Sequence, residues 1–136
     1  MKKVAIFDID GTVFRSSLLI ELTNALVQEG IFNLKVSKLY ARNYKNWLNR
    51  KGPYEEYVKA VIKAFEQNIR GVRQNEFSRI AKKVVDFYGN RIYRYSRDIV
   101  KNLKKKNYYL LAISRSPQKV VKEFCKKKNG VNSIFL

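Results

Sequence analysis

Several features that are common in secreted and membrane proteins are scarce in this sequence. The only cysteine, Cys125, has no second cysteine with which to form an internal disulfide. No apolar run reaches the roughly 20 residues that a transmembrane helix needs. Near the N-terminus only Val4 to Phe7 are apolar before Asp8, which is too short for the hydrophobic region of a signal peptide. These absences predict a cytoplasmic protein.

Acidic residues are also scarce, with 11 against 29 lysines and arginines and a net charge of +18. Such an excess is typical of proteins with a polyanionic partner, because each neutralised phosphate releases counterions. It is equally compatible with lysine-rich helix faces, or with an acidic remainder of a longer protein. The dense runs Lys101–Lys106 and Lys119–Lys128 lack the aromatic pattern of an RNA-binding sheet. Nucleic-acid binding is therefore the less favoured interpretation.

Three short apolar runs predict the strands of a parallel sheet. They are Lys3 to Phe7, Tyr108 to Ile113 and the final stretch Ser133 to Leu136, and continuous apolar runs are typical of buried parallel strands. Between the first two runs, apolar residues at spacings of three and four predict four amphipathic helices. The sequence thus predicts an α/β core formed by residues 1–13 and 94–136, interrupted by a helical insertion at 14–93.

Caps and breaks predict where the helices begin and end. Gly30 follows the first helix at the position of a C-terminal cap. Ser96 is predicted to cap a short helix before the second strand. Pro117 suits the first turn of a further helix, whose apolar face includes Val120 and Phe124.

Polar residues follow the first two strands. Asp8 and Asp10 end the first strand, and Ser114 ends the second, and ligands of open parallel sheets bind beyond these carboxyl ends. One carboxylate can attack phosphorus while the other protonates the leaving oxygen and later deprotonates water. The pair also suits Mg²⁺, and a serine hydroxyl can donate to a phosphate oxygen.

These residues resemble the motifs of the haloacid dehalogenase superfamily. The stretch from Val4 to Val13, with Asp-Ile-Asp-Gly-Thr at its centre, is similar to the first motif. Leu110 to Ser114 is similar to the second motif, and Ser114 to Pro117 resembles the phosphoserine-phosphatase-like branch. The resemblance implies a Rossmann-like core, with the helical stretch between the motifs as a cap domain.

The resemblance also implies a role for each matching residue. Asp8 would be the nucleophile and Asp10 the general acid and base. Asp8 and the backbone carbonyl of Asp10 would bind Mg²⁺, the implied cofactor. Ser114, with Arg115 beside it, would bind the substrate phosphate. Thr12 would hold the loop by hydrogen bonds.

Three departures from the family pattern matter. The third motif, a lysine, and the fourth, an acidic pair, are expected beyond residue 136, so the chain resembles a truncated member. Arg115 replaces the usual small residue. Ser16 and Ser17 stand where phosphoserine phosphatases carry a glutamate, which disfavours phosphoserine as the substrate.

The leading hypothesis is a magnesium-dependent phosphatase-type hydrolase that acts through an aspartyl-phosphate on a small phosphorylated molecule. Because two charge-stabilising motifs are missing, turnover by this truncated chain is expected to be crippled, and a dimer or a second chain is one way to complete the site. The alternative hypothesis is a non-catalytic remnant that binds an anionic partner such as RNA through its basic surface.

Overall fold

In the computed structural model, described for residues 1–128 and 131–135, the chain alternates strands and helices at its two ends and is helical between them. The three strands are β1 (Val4–Asp8), β2 (Tyr109–Ser114) and β3 (Val131–Phe135). The helices are α1 (Leu18–Gln28), α2 (Lys38–Leu48), α3 (Tyr54–Asn68), α4 (Gln74–Tyr88), α5 (Arg94–Lys105) and α6 (Gln118–Lys127). A 3-10 turn at Leu34–Ser37 precedes α2. The predicted α/β class with helices between the first two strands is confirmed.

The strands form one parallel sheet in the order β1-β2-β3. Val4 lies opposite Tyr109, and Leu110 opposite Val131. The predicted final strand is thus present as β3, although Leu136 of that prediction lies outside the described residues. Because all three strands run in parallel, their carboxyl ends meet at one edge of the sheet.

The chain divides into two compact units. The first, here called the α/β unit, comprises Met1–Leu18 and Ala81–Leu136, and the second, the helical unit, comprises Leu19–Ile80. The sequence-based boundaries at residues 14 and 93 enclosed a longer helical segment. Hydrophobic periodicity alone assigns all of α4 to the insertion. The second half of α4 nevertheless belongs to the α/β unit, and there Lys127 Nζ donates to the carbonyl of Val85 at 3.3 Å.

The helical unit is built around aromatic side chains. Tyr57 in α3 is buried, and its ring stacks on Trp47 at 5.9 Å and lies 5.1 Å from Tyr44. The hydroxyl of buried Tyr40 donates to Asn24 Oδ1 at 2.8 Å. An amphipathic pattern predicts which face of a helix is apolar. In the helical unit, aromatic rings on these faces pack against one another.

Two caps test the helix predictions. Gly30 has φ +74° and donates its amide to the carbonyl of Val27, which confirms it as the C-terminal cap of α1. The prediction for Ser96 is wrong. The N-cap of α5 is Tyr93, three residues before Ser96, and the Ser96 hydroxyl donates to the carbonyl of Thr12 at 2.8 Å.

No helix among residues 1–128 and 131–135 is long and apolar enough to cross a membrane.

Candidate active site

The parallel register brings the ends of β1 and β2 to the same level. Asp8, the last residue of β1, pairs with Ile113, and Ser114 ends β2 one residue later. The amide of Ile9 continues the ladder by donating to the carbonyl of Ile113 at 3.2 Å. Polar residues that are 106 positions apart in the sequence are thereby placed at one sheet edge, as the strand-end argument predicts.

A tight turn follows β1 and sets the direction of both aspartates. The carbonyl of Ile9 accepts the amides of residues 12 to 14 at 2.9 to 3.1 Å, and the Ile9 side chain is fully buried. Gly11 has φ +76°, a conformation that residues with a Cβ rarely adopt. Its amide donates to the carbonyls of Phe14 and Ser16. The turn is therefore fixed by the backbone as well as by side chains.

The Asp8 side chain is exposed at this edge. Its Oδ2 accepts one hydrogen bond, from Thr12 Oγ1 at 3.0 Å. That bond limits rotation of the carboxylate without covering it. Asp8 therefore presents a positioned anionic oxygen to solvent, which is what a nucleophile or a metal ligand requires.

The Asp10 side chain differs from that of Asp8, because it accepts hydrogen bonds from three donors. Its Oδ1 accepts the amide of Leu18 at 2.7 Å and the hydroxyl of Ser116 at 3.0 Å. Its Oδ2 accepts the hydroxyl of Ser114 at 2.5 Å. Leu18 is the first residue of α1, where the positive end of the helix favours a carboxylate. Asp10 therefore joins the turn after β1, the start of α1 and the loop after β2.

The two serines form a small network of their own. Ser114 and Ser116 are both buried, and the amide of Ser116 donates to Ser114 Oγ at 3.0 Å. A serine just before a helix commonly serves as its N-cap. Instead α6 has Pro117 as its N-cap, without a side-chain hydrogen bond. Their hydroxyls are therefore directed to Asp10.

The structure thus brings three predicted residues together and adds one. Asp8, Asp10 and Ser114 share the sheet edge, whereas Arg115 is exposed beside them. Ser116 is the residue that the sequence-based site omitted. The signal was present in the Ser-Arg-Ser spacing, because two residues separated by one often point the same way from an extended backbone.

A divalent cation fits this edge at Asp8 rather than at the Asp10 carboxylate. Residues 1–128 and 131–135 contain no group of three or more acidic, histidine or cysteine side chains that could hold a metal. The Asp10 oxygens already accept three hydrogen bonds. Mg²⁺, however, often keeps several waters and binds through one or two protein carboxylates together with substrate phosphate. The exposed Asp8 carboxylate suits such an open site.

The sequence and the fold were compared with known proteins. Residues 5–135 match the haloacid dehalogenase-like hydrolase family. A crystal structure of a dehalogenase is similar at 12% sequence identity with a TM-score of 0.41, over 99% of this chain and 62% of that protein. The present chain thus spans less than two thirds of the length of that relative. No curated protein matches the sequence. With the family match covering nearly all of the chain, including both strand ends that carry the aspartates and the serine, the chain belongs to the haloacid dehalogenase-like hydrolases.

Proposed function

We propose that this chain carries the nucleophile end of a magnesium-dependent phosphatase-type hydrolase, which transfers the phosphoryl group of a small substrate through an aspartyl-phosphate. The observation that supports this most directly is that the two carboxylates differ in exposure and in the number of hydrogen bonds they accept. Asp8 is exposed and accepts one hydrogen bond, whereas Asp10 accepts three. The Asp8 carboxylate is thus available to attack a substrate, and the Asp10 carboxylate is held in a fixed position nearby.

In the first step an Asp8 carboxylate oxygen attacks phosphorus, and the bond from phosphorus to the leaving oxygen breaks. The hydrogen bond from Thr12 to Oδ2 orients the carboxylate, so that Oδ1 is the attacking atom. In the second step water attacks the phosphorus of the aspartyl-phosphate. Inorganic phosphate leaves, and the Asp8 carboxylate is restored.

Asp10 would carry the proton in both steps, and Ser114 would control when it does so. The Ser114 hydroxyl has a single proton, which it donates to Asp10 Oδ2 in the structure. A bound phosphoryl oxygen would compete for that proton. When Ser114 turns to the phosphoryl group, Oδ2 is released, so that Asp10 can protonate the leaving oxygen and then accept a proton from water.

The composition narrows the choice of acid and base. The chain contains no histidine, so a carboxyl group is the natural proton carrier at this edge. Mg²⁺, held by the Asp8 carboxylate and the Asp10 backbone carbonyl, would offset the negative charge of the phosphoryl oxygens. Arg115 is exposed next to Ser114, and its guanidinium would add charge-assisted hydrogen bonds to a phosphate.

The test is hydrolysis of p-nitrophenyl phosphate by the 136-residue chain, with and without Mg²⁺. We expect a slow activity that needs Mg²⁺ and falls to background in Asp8→Asn. The asparagine keeps an oxygen to accept the Thr12 hydrogen bond but loses the anionic nucleophile. Asp98→Asn provides the matched control, because Asp98 is an exposed aspartate in α5, paired with Arg97.

Acid-quenched protein incubated with the substrate should carry a phosphoryl group on Asp8, detected as a mass increase that Asp8→Asn lacks. Equal turnover by the wild type, Asp8→Asn and a no-protein blank would contradict the proposal for this chain.

The net charge of +18 supports a second candidate, a non-catalytic domain that binds an anionic partner such as RNA. Here the measurement is the salt dependence of binding to a single-stranded RNA oligomer. Charge-driven binding should weaken steeply as salt rises, with a logarithmic slope proportional to the number of phosphates contacted. Undetectable binding at moderate salt would remove this candidate.

A further inference from the structure

The α/β unit contains a cavity of about 280 Å³ between one face of the sheet and the helices α5 and α6. It is lined by Phe7 and Ala112 from β1 and β2, Val100 from α5, Phe124 and Cys125 from α6, and Ile9 and Val13 from the turn after β1. These walls are apolar. An apolar cavity of roughly 150 Å³ is sufficient for benzene, so this one has room for a short aliphatic chain.

Helix α5 is incompletely packed along the cavity. None of its residues is buried, and its apolar residues Ile99, Val100 and Leu103 are only half-buried. Of the three, Val100 lines the cavity, so an apolar guest would remove more of its side chain from water, which is favourable in proportion to the area covered.

Cationic side chains form the rim of the same cavity. Arg97, Lys101 and Lys104 follow one another at spacings of four and three, which places them on one face of α5. Lys128, just after α6, completes the rim. Lys104 Nζ donates to the carbonyl of Lys128 at 2.8 Å, and Lys128 Nζ lies 5.7 Å from the Phe124 ring centroid. Cations and apolar wall are therefore in direct contact.

The charge at this rim is not locally compensated. Burial lowers the pKa of Lys128, and the neighbouring charge of Lys127 lowers it further. Arg97 contacts the carboxylate of Asp98 at 3.4 Å, but both side chains are largely exposed, where an ion pair contributes little. An anion placed at Lys104 and Lys128 would relieve the repulsion.

The cationic rim lies at the opposite end of the sheet from the candidate active site, whereas the inner end of the cavity reaches Ile9 and Val13 in the turn after β1. Lys104 stands near the end of α5, which leads into the start of β2, and Lys128 follows α6, which leads towards the start of β3. Both lysines therefore lie toward the amino ends of the strands. Asp8 and Ser114 lie at the carboxyl ends.

We propose that this cavity binds an aliphatic carboxylate, with its tail between α5, α6 and the sheet and its head group on Lys104 and Lys128. The apolar walls select the tail, and the rim selects the anion. The inference is independent of the proposed hydrolase activity, because it uses neither aspartate of the turn after β1.

The first experiment is calorimetric titration of the chain with hexanoate, heptanoate and octanoate. We expect one site, with the dissociation constant falling about fourfold for each added methylene. Octanol should bind at least about tenfold more weakly than octanoate, because it cannot form charge-assisted hydrogen bonds. Octyl phosphate distinguishes the two kinds of anionic head group: weaker binding than octanoate supports the carboxylate, and tighter binding overturns that assignment.

The second experiment uses Cys125 as a reporter in the cavity wall. The thiol is buried, and octanoate at ten times its dissociation constant should slow iodoacetamide alkylation about tenfold. Asp8→Asn should bind octanoate as the wild type does.

Two variants test the contacts. Lys104→Met with Lys128→Met should weaken octanoate binding at least tenfold. The matched pair Lys59→Met with Lys63→Met changes the same charge at exposed positions of α3 and should leave the affinity unchanged. Val100→Phe should block the cavity. Since Val100 is only half-buried, this substitution is compatible with folding.

The proposal is overturned if octanoate does not bind, if octanol binds equally well, or if both lysine pairs weaken binding to the same extent. The last result would indicate attraction to the overall charge of the protein.

Discussion

The α/β unit and the helical unit use buried polar groups for different purposes. In the α/β unit, buried Ser114 and Ser116 direct their hydroxyls to Asp10 at the sheet edge. In the helical unit, the hydroxyl of buried Tyr40 is satisfied by Asn24 within a cluster of aromatic rings. The first arrangement fixes the carboxylate of Asp10, whereas the second stabilises packing. Substitutions in the two units should therefore lower stability through different interactions, lost hydrogen bonds in one and lost ring contacts in the other.

Each unit carries a natural reporter that makes this comparison measurable. Trp47, the only tryptophan, is stacked on Tyr57 in the helical unit. Cys125, the only cysteine, is buried in α6 of the α/β unit. Tryptophan fluorescence and thiol reactivity during denaturation thus follow the two units separately.

The largest expected effect is that of Tyr57→Ala on the helical unit. It removes a buried ring that contacts Tyr40, Tyr44, Trp47 and Tyr54, and we expect a loss of about 3–5 kcal/mol in the free energy of unfolding. The measurement is urea denaturation followed by Trp47 fluorescence. Tyr44→Ala, in the same cluster but 42% exposed, should cost about 1 kcal/mol. Equal losses would show that the rings do not form one packed core.

The next effect is that of Asp10→Ala on the α/β unit. Three donors lose their acceptor, two of them buried serine hydroxyls, so we expect a loss of about 2–3 kcal/mol. Urea dependence of Cys125 alkylation measures it, and Asp98→Ala at an exposed position should change stability by less than about 0.5 kcal/mol. If the two variants were equally stable, the hydrogen bonds to Asp10 would have no structural role.

Alkaline pH should lower the stability of the helical unit. Burial raises the pKa of Tyr40, and burial together with the neighbouring Tyr40, Tyr44 and Tyr54 hydroxyls and Glu21 raises that of Tyr57. The folded state therefore holds these protons more tightly than the unfolded state, in which tyrosine titrates near pH ~10. The stabilisation is complete below that pH and is lost above it, by up to about 1.4 kcal/mol per pH unit for each tyrosine.

Urea denaturation monitored through Trp47 between pH 8 and pH 11.5, with Tyr57→Phe alongside, checks this pH dependence. The variant should lose less stability above pH ~10 than the wild type does. Identical curves would exclude Tyr57 as a cause.

The smallest expected effect is that of Ser116→Ala. It removes one hydrogen bond to Asp10 at 3.0 Å, so Cys125 alkylation should report a loss of about 1 kcal/mol. Ser78→Ala is the control, since that exposed hydroxyl only bonds the carbonyl of Gln74 in its own helix. If Asp10 takes part in proton transfer, Ser116→Ala should also lower p-nitrophenyl phosphate hydrolysis, and Ser78→Ala should not.

Much of the fold follows from local patterns. Apolar runs predicted all three strands, and spacings of three and four predicted the helices. Gly30 was correctly predicted as a cap because its position requires positive φ. Ser96 was not, because the N-cap of the helix before β2 lies three residues earlier, and serine also occurs inside helices, where its hydroxyl bonds elsewhere.

The sequence by itself determined which polar residues stand at the strand ends. The apolar strand with Asp-x-Asp-Gly-Thr places Asp8 at the end of β1 and Asp10 in the turn after it, and the second strand ends on Ser114. Hydrophobic periodicity is local, so it is readable without a fold.

Only the tertiary structure decided how the two aspartates differ and where α5 leaves a cavity. The donors to Asp10 come from Leu18, Ser114 and Ser116, and the serines lie 104 and 106 residues away in the sequence. The gap beneath α5 depends on the volumes of side chains from two strands and two helices. Hydrogen bonding and packing act between residues brought together by folding, so spacing along the chain does not encode them.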